Sequence, residues 1–155
     1  MRNFRASEQF KGLVDKLTQD NHPDAGRSIF PTMRELLCFA AILGFEHDRC
    51  HKLKEKTFEI VDGRIFSNSP KTLDIFYLIS LASTKDSEIL RDENENRMIE
   101  IFEEYSQGGF EILESWLREK PEDLYGDKAI LTALYKYKFL NLPTDVEEAT
   151  GEVSF

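Results

Sequence analysis

Phe30-Pro31-Thr32-Met33-Arg34-Glu35-Leu36-Leu37-Cys38-Phe39-Ala40-Ala41-Ile42-Leu43-Gly44-Phe45 decides the fold. Thr32 followed by Glu35 has the form of a capping box. The threonine hydroxyl accepts from the Glu35 amide while the glutamate side chain returns to the Thr32 amide. From Leu36 to Leu43 the stretch is apolar on nearly every side, and a helix of that kind is buried over most of its surface. Gly44 reads as the C-terminal stop. The stretch predicts a central helix on which the remaining elements must pack.

Ser69-Pro70 sets an N-cap before a proline at the first helical position. Leu73, Ile75, Phe76, Leu78, Ile79 and Leu81 then predict a second, mostly buried helix ending near Ser83. Upstream, residues 6–18 place Phe10, Leu13, Val14 and Leu17 at helical spacing, weakened by about 1 kcal/mol at Gly12, before the turn formers Asn21 to Gly26. Thr57 to Val61, then Asp62-Gly63, then Arg64-Ile65-Phe66, has the pattern of a short hairpin closed by a tight turn.

Asp86 to Asn96 is charged and reads as a link or a helix start. From Arg97, Met98, Ile99, Ile101, Phe102 and Tyr105 make one helical face. Gly108-Gly109 interrupts it at a cost of about 2 kcal/mol relative to alanine, which predicts a kink or the close approach of another backbone. Phe110, Ile112, Leu113, Trp116 and Leu117 resume the face, Pro121 ends it, and Gly126 to Phe139 carries a last helix. The expected fold is mainly α, a single compact domain of five or six helices with a small β-hairpin. It spans residues 1–142, and an acidic tail over 143–155 is expected to fray.

A length of 155 residues suits one domain, and 41% hydrophobic with 12% aromatic residues supplies a core. The net charge of −9 argues against a protein that coats nucleic acid through overall charge. That charge is unevenly spread. Through Phe66 there are 11 basic and 10 acidic residues, net +1; from Ser67 onward 9 and 19, net −10. Leu36 to Phe45 is about half a membrane span, and the first residues lack the apolar run of a signal peptide. Cys38 and Cys50 do not read as a disulfide framework. A cytoplasmic protein without membrane contact is expected.

Three groups could carry chemistry. Arg49, Lys52, Lys54, Lys56 and Arg64 are the densest basic set, with Arg27 and Arg34 upstream. The alternating lysines would line one side of an extended segment and could meet phosphates or an acidic protein face. The alternative is a lysine-rich edge that protects a short hairpin from unwanted pairing. His47, Cys50 and His51 form the most metal-like set: on a helix, His47 and His51 would lie one turn apart. No second ligand pair follows at zinc spacing, so no metal and no cofactor is expected, and a solvated loop is the plain alternative. Glu100, Glu103, Glu104 and Glu111 read as a solvated helix face, since a di-iron bundle would need Glu-x-x-His. The aromatics Phe102, Tyr105, Phe110 and Trp116 read as core. No Walker loop, dinucleotide fingerprint or nucleophile elbow occurs, and no catalytic residue is assigned.

The segment Ile101-Phe102-Glu103-Glu104-Tyr105-Ser106-Gln107-Gly108-Gly109-Phe110-Glu111-Ile112-Leu113 resembles a signature of a small bacterial family, and so does Phe30 to Phe45. Both are similar to the DNA phosphorothioation-associated (Dnd-system-associated) protein 4 family. Leu78-Ile79-Ser80-Leu81-Ala82 fits the same pattern, so the likeness runs over roughly residues 3–135. Members of that family are encoded beside the genes that replace a non-bridging phosphate oxygen of DNA by sulfur, or beside the linked restriction genes. The resemblance implies a non-enzymatic accessory protein of a phosphorothioation-linked restriction system, an antiphage defence. Such a protein would bind the system's proteins or DNA. It leaves open a small DNA-binding regulator of the same locus, and an enzyme (a nuclease or sulfur-handling component) without a recognisable motif. Within the signature, Gly108 and Gly109 imply a required close contact. His47, Cys50 and His51 depart from the family's pattern, which weakens any shared metal role.

Overall fold

In a computed structural model that describes residues 1–141, the central helix is α2, Met33–Glu46. One half of the expected capping box sets its start: the Glu35 amide donates to Thr32 Oγ1 at 3.2 Å, while no bond from the Thr32 amide to the Glu35 carboxylate is formed. Ahead of it come strand β1, Phe4–Ser7, a 3₁₀ turn at Glu8–Phe10, and α1, Lys11–Gln19. After it come β2, Thr57–Val61, the short α3, Gly63–Ser67, and α4, Pro70–Thr84. Two 3₁₀ turns then lead into the long α5, Glu95–Arg118, and the described chain closes with α6, Asp127–Lys136. The expected tail over 143–155 lies outside the described residues.

The architecture is mainly α with a small antiparallel pair of strands, but the strands differ from those expected. β2 pairs with β1, Phe4 opposite Val61 and Ser7 opposite Thr57. Residues 64–66 are helical because Asp62 acts as an N-cap, its Oδ1 accepting from the Arg64 amide at 2.8 Å. An aspartate before glycine suits a tight turn and a helix start equally well, and here the cap prevails. The same pairing corrects the first expected helix. Ala6 and Ser7 belong to β1, so α1 begins only at Lys11.

One core joins these elements. Phe4 of β1, Phe66 of α3, Phe76 of α4 and Phe102 of α5 form a phenylalanine cluster, with Phe4–Phe66 centroids 4.1 Å apart and Phe66–Phe102 5.4 Å apart. Phe10 stacks 5.6 Å from Phe110 beneath α1. Tyr105 and Trp116 are buried with them, as the aromatic spacing implies.

Helices α2 and α5 form the densest packing, and glycines govern it. Gly44 does not end α2, which runs on to Glu46. A Cβ on Gly44 would stand 2.9 Å from the Tyr105 carbonyl carbon and closer still to its oxygen. Gly108 and Gly109 neither break nor end α5. A Cβ on Gly109 would reach within 2.7 Å of Ala40 Cα, and one on Gly108 within 2.7 Å of the Arg49 carbonyl carbon. Two helices thus meet backbone to backbone, an approach open only to residues without side chains.

Gly109→Ala therefore forces α5 off α2 and should cost about 3 kcal/mol, the upper range of overpacking. Gly12→Ala, on an open face of α1 with no neighbour within 4 Å, should instead stabilise by about 1 kcal/mol. Urea denaturation of both variants checks the pair. A Gly109→Ala midpoint equal to that of the parent would contradict the crossing.

Candidate functional site

The basic group lies on an extended strap between α2 and β2. Asp48 adopts a left-handed conformation, φ 53°, directly after the His47 cap, so the chain leaves the helix instead of continuing it. From there the strap is pinned along its length. The Arg49 amide donates to Gly44 O at 2.8 Å and the His51 amide to Glu104 O at 3.0 Å. The Lys54 amide donates to Ser7 Oγ at 2.9 Å, and Lys56 O accepts from the Glu8 amide at 2.9 Å. With its backbone held by α2, α5 and β1, the strap leaves Arg49, Lys52, Lys54 and Lys56 exposed. Lys54 and Lys56, with Glu8, Gln9 and Glu55, line an open concavity of about 560 Å³. Lys11, which sequence spacing did not single out, approaches from α1 with its ammonium 5.8 Å from the Phe58 ring.

Arg64 does not join them. It sits on α3 beyond the far end of β2, with Nη2 3.2 Å from Asp62 Oδ2. Arg34 is also engaged elsewhere, donating from Nη1 to Ile65 O at 3.0 Å.

The metal-like set diverges. Because α2 ends at Glu46, His47 and His51 are not stacked one turn apart. His47 turns towards Tyr137 and Phe139, at centroid distances of 5.3 and 5.9 Å, with Nδ1 3.1 Å from Leu43 O. His51 Nδ1 lies 2.8 Å from Glu111 Oε2, and Cys50 Sγ lies 3.6 Å from Glu104 Oε2. Among the described residues no three of His, Cys, Asp and Glu converge as metal ligands. Partial burial, reinforced by the Glu104 carboxylate, pushes the Cys50 thiol up to about 11. It is therefore protonated, and a poor nucleophile, at neutral pH.

The glutamates of α5 are not a uniformly solvated face. Glu103 is 5% exposed and works as a clamp. Its carboxylate accepts from Arg2 Nη2 at 2.8 Å, Arg2 Nη1 at 3.1 Å and the Arg5 amide at 2.6 Å, which fastens β1 to α5. That bidentate fork raises the Arg2 guanidinium above its ordinary pKa, against the opposing effect of partial burial. Glu104 and Glu111, two turns apart on one face, receive Cys50 and His51 of the strap. Their spacing could have announced a shared face; Glu103's role depends on Arg2, far away in sequence, and no local pattern reports it.

A second pairing of titratable groups joins the loop after α1 to the start of α6. His22 Nε2 lies 3.2 Å from Asp127 Oδ2, and His22 Nδ1 accepts from the Asp24 amide at 3.1 Å. Both ring nitrogens are thereby engaged, which makes the histidine a staple between the loop after α1 and the start of α6. No helix among the described residues is long and apolar enough to cross a membrane.

Glu103→Ala removes the acceptor of three buried or half-buried donors and should destabilise by about 2–3 kcal/mol, with faster amide exchange at Arg5. Glu100→Ala, exposed on the same helix, should stay within about 0.5 kcal/mol. Chemical denaturation with hydrogen exchange measures both, and equal effects from the two variants would refute the clamp.

No curated protein and no solved structure matches the chain. A family model covers residues 3–149, spanning the α2 and α5 signatures and the strap between them: the chain belongs to the DNA sulphur modification system-associated protein 4 family.

Proposed function

We propose that this protein is a non-enzymatic, cytoplasmic accessory component of a DNA phosphorothioation-linked restriction system, an antiphage defence. It acts by presenting the strap to an anionic surface, either an acidic face of one of the system's proteins or DNA phosphate. The observation that carries this reading is the strap itself: Lys52, Lys54 and Lys56 project from a backbone held at both ends and in the middle. Pre-organised cations lose less conformational freedom on binding than cations on a mobile loop. Family membership supports the choice of partner machinery. Arg49, at the start of the strap, and Lys11, over Phe58 of β2 just beyond its end, extend the charge; Arg64, already paired with Asp62 at the other end of β2, is left out of the proposed contact.

Pull-down of the tagged chain from cells carrying the native operon, with and without nuclease treatment, tests the proposal and separates protein from DNA as the partner. Recovery of a system protein or of DNA is expected, and recovery of neither would overturn it. Lys52→Glu with Lys54→Glu should weaken the contact about tenfold or more and flatten its salt dependence, by about two counterions if the partner is DNA. Arg64→Glu should leave binding unchanged. Undiminished binding by the double variant would remove the strap from the interface.

A further inference from the structure

Helix α4 is apolar on nearly every side, yet only one side is covered. Thr72, Phe76, Ile79 and Ser80 are buried against the core. On the opposite side Leu78 is 64% exposed and Tyr77 39% exposed, although a helix of this composition belongs in an interior. Asp74, Tyr77, Leu78 and Leu81 line a recess of about 320 Å³ that Leu90 closes from beyond the helix. Two charges flank the apolar strip: Asp74 near its start and Lys85 at its end. Neither makes an ion pair among the described residues.

These positions are self-complementary. When two copies of α4 are laid antiparallel about a point between Ile79 and Ser80, Asp74 falls opposite Lys85 of the second copy, and Lys85 opposite its Asp74. In the same register Leu78 meets Leu81, twice by symmetry. An isologous contact requires this reciprocity of charge. A parallel pairing would instead set Asp74 against Asp74 and Lys85 against Lys85. We propose that the outer face of α4 is a homodimer interface, formed by antiparallel α4 helices with reciprocal Asp74–Lys85 ion pairs around a Leu78–Leu81 centre. Leu78 of each copy enters the recess of the other. One helix pair buries less than about 1,200 Å² in total, which places the dimer in the micromolar class.

Sedimentation equilibrium on the full chain, up to about 500 µM, should show a monomer–dimer equilibrium; a monomer throughout overturns the proposal. Leu78→Glu should raise the dimer dissociation constant at least about tenfold while leaving far-UV circular dichroism and the melting temperature unchanged. A dimer indifferent to this change would place the interface elsewhere. Asp74→Lys alone should weaken the dimer about tenfold, and Asp74→Lys combined with Lys85→Asp should restore it. Failure of the exchange to restore association would overturn the register. Zero-length carbodiimide coupling gives an independent reading. Within one chain these two residues lie about 16 Å apart along the helix, so an Asp74–Lys85 cross-link forms only between copies. Mixed isotope-labelled chains should yield that cross-link, and its absence from a cross-linked dimer would count against the arrangement.

Discussion

Two glycines allow α2 and α5 to touch backbone to backbone, and the rest of the molecule is placed by that contact. Gly44 faces the Tyr105 carbonyl, Gly109 faces Ala40 and Gly108 faces Arg49. The first two fix the helix crossing. The third fixes the first residue of the strap, so the crossing that builds the core also sets where the cationic segment leaves it. Ser106, two residues before the glycine pair, adds a hydroxyl bond to Leu37 O at 3.3 Å across the same seam. Side chains of ordinary size would separate the helices, and the strap bonds to Gly44 and Glu104 would then be lost together.

Local chemistry was legible where it is self-contained. Thr32 and Ser69 cap the helices their positions imply, because a cap needs only a side-chain oxygen and an amide three residues on. The aromatic positions of α5 declared the core through spacing alone. Pairing across long separations was not legible. β2 finds its partner fifty or more residues upstream, in a four-residue segment, Phe-Arg-Ala-Ser, whose last two residues read equally well as the start of a helix. Asp62-Gly63 supports a turn or a cap, and only the presence of β1 decides between them. At the candidate site the lysines of the strap could be picked out from their alternation, since exposure is what a polar extended segment defaults to. Arg64 was drawn into the same group by proximity in sequence, which a single strand of five residues is enough to undo. The glycine pair showed the converse. Its cost in helix propensity was visible, but whether a kink or a neighbouring backbone explained it depended on the facing helix.

The uneven charge takes on a structural sense once the pairs are known. The near-neutral first half and the acidic second half are not separate surfaces awaiting separate partners, for the two halves hold each other. Glu103 of the acidic half closes on Arg2 and the Arg5 amide, Glu111 on His51, and Glu95 on the chain's amino terminus at 3.3 Å. Part of the acidity is thereby consumed inside the fold, fixing β1 and the strap against α5. The cations left over on the strap are those that no glutamate of α5 reaches. Among the described residues Lys52, Lys54 and Lys56 make no ion pair, because their backbone, and not their ammonium groups, is what the fold grips. A segment held in this way keeps its position while its charge remains available. On a protein of net charge −9, that local arrangement is what lets an anionic surface be met at one place without the whole molecule attracting it.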